Sequence, residues 1–320
     1  VLRYGEAGLK PLFKVTVDRH AKEIEGDFVA VKKSKRHVEF DRGLYMATLA
    51  KGKAEAFELC PTDGPLMAKV SRSLTETHLT QGYIVGYDGI LNDITCAFFL
   101  TRHKPSPTFG KASFRGENKV ISISGFFLSM PNPRSGEYTS IIVPHLHIVF
   151  QNEESGKIFS GHLVDALSGR LRLEAVPLTG KMLRRETDPN TGGMYLRTDK
   201  KEELHPTRGD SILFALGPEE DFPNEPLKRL LEKGIAEAKF SFAVGTLELA
   251  HLESSAGEEI VKPKEGLELA YTSGHIVFGG GKYSHMTSVH LTDRYGNQYE
   301  GLLQSSKVKD LVEGILEIIE

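Results

Sequence analysis

His145 and His147 stand two apart in the run Pro144-His145-Leu146-His147, and a third histidine, His162, follows in Gly161-His162-Leu163. Side chains at i and i+2 of a β-strand leave the same face, so an extended segment here sends two imidazoles out together. The intervening Asn152-Glu153-Glu154-Ser155-Gly156 reads as a turn that returns the strand carrying His162 antiparallel beside the first. With Asn152 opposite Lys157, His147 falls directly across from His162. Opposed Cβ atoms in such a pair are about 4.5–5.5 Å apart, within reach of one metal ion that takes each nitrogen at about 2.0–2.1 Å. Gly161 leaves room for a bulge if the register needs one. Three neutral imidazoles without a fourth protein ligand are the donor set of an open catalytic site, where water or substrate completes a tetrahedron. Zinc is the default ion, and nickel, cobalt and iron also accept imidazole. With no metal, the same three are ordinary polar strand residues.

The elements that must position them read as mainly antiparallel β. Short strands at residues 12–17, 28–32, 37–40 and 45–49 suggest a small β-extension over 1–53. A strand at 54–59 leads through Pro61-Thr62-Asp63-Gly64-Pro65 into a helix at 66–76, where Leu66, Met67, Val70 and Leu74 recur at helical spacing. Strands at 82–87, 94–101, 119–127, 141–151, 157–164 and 170–177 follow. Residues 181–206, with Arg184-Arg185-Glu186-Thr187-Asp188-Pro189, are polar and aperiodic and read as a linker between domains at 54–180 and 207–320. Beyond it come a strand at 211–216, a helix near 227–233, further strands, and a terminal helix at 308–319.

Landmarks repeat between the two domains. Ile121-Ser122-Ile123-Ser124-Gly125-Phe126 matches Ala270-Tyr271-Thr272-Ser273-Gly274-His275, and the turn-strand 156–163 matches 296–303. An internal duplication follows, with a period far longer than a solenoid's. The second copy lacks the triad. Aligned through Asp293, Met286-Thr287-Ser288 replaces His145-Leu146-His147 and Leu302 replaces His162; an ungapped alternative puts His285 on His145 but Thr287 on His147.

At 320 residues with 39% apolar and 26% charged residues, the composition is that of a globular protein. No apolar run reaches the roughly 18 residues a membrane span needs. Two cysteines, Cys60 and Cys96, with no CxxC pair, and the lack of a leader-like start at Val1, lead to the expectation of a cytoplasmic protein. Formal net charge is -3: residues 1–53, with Lys32-Lys33-Ser34-Lys35-Arg36, carry +5, residues 54–180 carry -1 and residues 181–320 carry -7. An acidic body disfavours nucleic acid as a partner.

The order of strand, helix, Ile-Ser-Ile-Ser-Gly, His-Leu-His and Gly-His-Leu followed by Leu173-Glu174-Ala175-Val176 resembles the PPC domain (plant and prokaryote conserved domain), here in tandem. The resemblance implies α+β folds dominated by antiparallel β, each with one or two helices, commonly trimeric. It also implies a relationship to the acetolactate decarboxylase fold, and metal ligation by His145, His147 and His162. Plant members add an Arg-Gly-Arg-Pro minor-groove hook, which this sequence lacks. A Glu often precedes the Ile-Leu-Ser-Leu strand of the family; the second copy keeps it as Glu268, whereas the first has Lys119. Three functions remain open. The chain is a metal-dependent lyase or hydrolase on a small carboxylate or carbonyl compound, with Glu174 as general acid or base and Arg170 and Arg172 holding a carboxylate. Alternatively it is a DNA-binding or regulatory protein, or a metal-holding homo-oligomer without catalysis.

Overall fold

The computed structural model describes residues 40–59, 64–103, 106–131, 138–189, 193–199, 204–254, 257–263, 266–279, 282–293 and 295–319. The strands expected at 12–17 and 28–32, nearly all of the one at 37–40, and the basic run at 32–36 lie outside the described residues.

In chain order the first half comprises β1 (Tyr45–Lys51), β2 (Glu55–Leu59), α1 (Leu66–Glu76), β3 (Gln81–His103), β4 (Ser106–Pro131), β5 (Tyr138–Asn152) and β6 (Ile158–Thr179). A connection carries β7 (Leu183–Thr187) and β8 (Met194–Thr198). The second half comprises β9 (Ser211–Leu216), α2 (Asn224–Glu232), β10 (Glu237–Ser254), β11 (Gly257–Val261), β12 (Leu267–Gly279), β13 (Lys282–Asp293) and β14 (Gln298–Ile318). Every strand pairing is antiparallel. Several strands expected as separate pieces are single bent strands. The segments 82–87 and 94–101 are one β3, bent where its pairing is irregular near Gly86 to Gly89 and Asn92 to Ile94.

In the first half β6, β3, β4 and β5 pair in succession and β5 returns to β6, closing a ring; β2 adds to β6. In the second half β10, β12, β13 and β14 close the same way, and β9 adds to β14. Closure removes exposed sheet edges. One helix follows the added strand in each half. In α1 Leu66, Val70 and Leu74 of the expected stripe are buried and Met67 is half-buried; in α2 Pro226, Leu227 and Leu230 are buried.

The terminal segment corrects the sequence reading. Residues 308–318 are strand, not helix: in β14, Val312 to Leu316 pair with β9 on one side and β10 on the other, all five buried. A strand covered on both faces reads as a continuous apolar run, and periodicity cannot tell that run from a buried helix. Gly314 decides the fit, because a Cβ there would stand 2.4 Å from the Phe242 carbonyl oxygen.

The halves are packed together. A core shared between them joins Tyr83, Phe126 and Val176 to Leu213, Phe242 and Ile315. The Phe242 ring lies 4.9 Å from that of Phe126 and 5.6 Å from that of Tyr83. β1 sews them further, pairing with β9 over Tyr45 to Leu49 and with β6 through Ala50 and Lys51. The segment 181–206, read as a linker, holds the β7–β8 hairpin, whose Leu183 and Leu196 enter the shared core.

Candidate metal centre

The β5–β6 register is the one the sequence suggested. His147 lies opposite His162, and the Asn152 amide donates to the Lys157 carbonyl at the turn. No bulge is needed at Gly161, whose missing Cβ instead admits Cys96 of β3, 2.9 Å from where it would stand. Gly125 of β4 serves β5 likewise: a Cβ there would lie 2.0 Å from the His145 carbonyl oxygen.

One ligating nitrogen from each of His145, His147 and His162 lies within 4.8 Å of the others. His145 Nε2 and His162 Nδ1 are 3.1 Å apart. Tetrahedral ligation at 2.0–2.1 Å would place nitrogens about 3.3–3.4 Å from one another, so the rings need only small shifts. Burial drives all three below the usual histidine range, His145 and His147 to about 4 and His162 well down, which leaves them neutral at pH 7. Neutral imidazole is the ligating form.

The remaining walls come from elsewhere in the chain. The rings border a cavity of about 180 Å³ that Val244, Gly245, Thr246, Glu268, Asp310, Leu311 and Glu313 of the second half also line, with Met194 and Tyr195 of β8. Glu268 Oε1 lies 2.8 Å from His147 Nδ1, each side chain 5% exposed. Burial raises the Glu268 carboxyl to about 8, so it holds a proton at pH 7. Glu313 behaves oppositely: burial pushes it up, but Arg185 and His145 outweigh that and hold it near 2. Arg185, on β7, donates from Nη1 to Glu313 Oε2 and from Nη2 to His145 Nδ1, with Nη2 also in ion-pair contact with Glu313 Oε1.

The structure does not bring Glu174, Arg170 or Arg172 to the histidines. They lie further along β6, a contour distance of roughly 26–40 Å at 3.3 Å per residue. Glu174 is exposed; Arg170 is 73% exposed and paired with Glu58; both arginines line a separate open cavity with Tyr87, Lys119 and Glu153. In the second half, Ser288 pairs with Leu302 as His147 pairs with His162, matching the alignment through Asp293. Met286, at the position of His145, is 64% exposed.

Sequence reasoning missed Arg185 and Glu313 and noted Glu268 only as a motif position. Glu313 carried a signal: a lone acid within the apolar run Leu311-Val312-Glu313-Gly314-Ile315-Leu316. Arg185 carried none, in a charged connection.

Comparison with curated proteins finds no match. Among solved structures, the chain is similar to a plant- and prokaryote-conserved protein of Pyrococcus horikoshii, at 20% identity over 49% of this chain and 96% of that one, with a TM-score of 0.39. A metal-containing protein of Archaeoglobus fulgidus is 20% identical over 46% and 94% of the two chains, TM-score 0.38. A candidate DNA-binding protein of Bacteroides thetaiotaomicron is 18% identical over 48% and 99%, TM-score 0.38. Residues 59–179 match the family model of the Plants and Prokaryotes Conserved (PCC) domain, and the match spans the half that carries the three histidines.

Proposed function

We propose that the chain binds a divalent transition metal, zinc by default, through His145, His147 and His162, and acts as a metal-dependent lyase or hydrolase on a small carboxylate or carbonyl compound. We read the second half as a degenerate copy of the PCC domain that supplies the opposite wall. One observation carries the proposal: three neutral imidazoles converge on a cavity of about 180 Å³ and form the one three-residue metal-ligand group among the described residues.

The residues present fit such an ion, with three nitrogen donors and a buried carboxyl behind His147 that can fix its ring. A divalent ion held there supplies Lewis acidity toward a carbonyl oxygen or lowers the pKa of a water. Val244 and Leu311 narrow the space and limit water. Glu268 holds a proton at its carboxyl at neutral pH and lies beside the ligands, which makes it a better general acid than the exposed Glu174. The acidic body, -8 over residues 54–320, gives no support to binding nucleic acid phosphates.

Elemental analysis of the purified chain tests the proposal. About one equivalent of a transition metal is expected, falling to near zero in His147→Ala. Below about a tenth of an equivalent in both proteins, after incubation with zinc, the metal reading is wrong.

A further inference from the structure

We infer that Arg185 is a positioning residue that decides which nitrogen of His145 carries the proton, and that it opposes Glu313 in doing so. The inference rests on the metal reading of the same site. Arg185 comes from β7, outside the matched domain, and its side chain is 10% exposed. Its Nη2 donates to His145 Nδ1 over 2.7 Å. The same guanidinium donates from Nη1 to Glu313 Oε2 over 2.7 Å, while its Nη2 lies 2.6 Å from Oε1 as an ion pair that leaves Oε1 without a hydrogen bond.

A guanidinium has donors and no acceptor. His145 Nδ1 must therefore accept, and the single proton of the neutral ring sits on Nε2. That nitrogen faces His162 Nδ1 at 3.1 Å, so the proton points into the space among the three rings. A metal ligand needs a lone pair there. For His145 to ligate through Nε2, its proton must sit on Nδ1, where the waiting acceptor is Glu313 Oε1, 3.5 Å away. The exchange conserves protons. The Arg185 bond to His145 opens, the ring proton leaves Nε2 for solvent while Nδ1 takes one up, and the new Nδ1–H donates to Glu313. Arg185 keeps its hydrogen bond to Glu313 Oε2 throughout. Arg185 thus stabilises the non-ligating tautomer and Glu313 the ligating one. Truncating them should move metal affinity in opposite directions, whereas two merely structural residues would move it the same way.

The test is 15N NMR of His145 in the metal-free full chain, together with zinc affinity by chelator competition. Wild type should show the proton on Nε2, and Arg185→Met should shift it toward Nδ1. Arg185→Met should bind zinc roughly tenfold tighter, since one charge-assisted hydrogen bond no longer has to open. Glu313→Gln should bind about 10- to 100-fold more weakly. Arg185→Leu serves if the Met variant fails to fold; it too leaves no donor for His145 Nδ1 and should tighten binding. An Nδ1–H tautomer in metal-free wild type, or weaker zinc binding in both Arg185 variants, overturns the inference. Tautomers as expected in a chain that takes up no zinc would uphold Arg185's role and overturn the metal reading instead.

Discussion

Replacing Glu268, in the second half, should weaken a metal held by histidines of the first. Its Oε1 lies 2.8 Å from His147 Nδ1, and both side chains are 95% buried. His147 Nδ1 has no hydrogen-bond partner as it stands, so with Nε2 ligating, a small turn of the ring lets Nδ1–H donate to the Glu268 carbonyl oxygen, which fixes the ring. A hydrogen bond between neutral partners is worth about 0.5–1.5 kcal/mol, a factor of roughly 2–13 in affinity. Glu268→Gln keeps an acceptor oxygen and should lose about twofold; Glu268→Ala leaves no acceptor for His147 Nδ1 and should lose about tenfold. Zinc or cobalt titration against a competing chelator at pH 7.5 reads both, with Glu174→Gln as a control expected to match wild type, because Glu174 is exposed away from the cavity. If both Glu268 variants stay within twofold of wild type while His147→Ala abolishes binding, the second half does not support the ligands.

Two further outcomes follow from the packing and charge. Glu317 is raised by burial but pulled down to about 2 by Lys51, Lys239 and Ser241. Its folded pKa lies below the usual carboxylate value of about 4.3, so its contribution is complete above that value and lost as pH falls toward 2. The full shift amounts to about 3 kcal/mol, discounted to about 1–2 for a half-buried cluster; urea unfolding of Glu317→Gln should show that loss at pH 7 and a flatter decline between pH 5 and 3, and an unchanged slope would refute the assignment. Phe242→Ala removes a ring packed on Phe126 and Tyr83 across the halves and should cost about 3–5 kcal/mol in urea unfolding; a loss below about 1 kcal/mol would show that the halves do not depend on their shared core.

Local signals carried the local structure. The helical spacing of Leu66, Val70 and Leu74 placed α1, and the HxH spacing with a polar turn placed His147 opposite His162, because neighbouring strands joined by a tight turn have little freedom of register. Reasoning failed where distant contacts decide. Residues 308–318 have apolar positions that suit a helix or a buried strand, and only β9 and β10, brought from far along the chain, select the strand. Arg185 looked like linker because its partners, His145 and Glu313, are far away in sequence.

On the reading of the second half as a degenerate copy, its lack of the three histidines is explained by its surroundings. On the strand alignment, Glu268 falls where the first half has Lys119. In the first half that position carries a cation that lines an open surface cavity; in the second it carries a carboxyl beside the histidines. Free of any need to hold a metal itself, the second half could change at its own triad positions, leaving Met286 exposed and Leu302 where His162 would be. It could not change freely at Glu268 or Glu313, which face the other half's ligands. Selection that kept the carboxyls while releasing the imidazoles would produce this asymmetry, and the Glu268 variants measure whether that support is real.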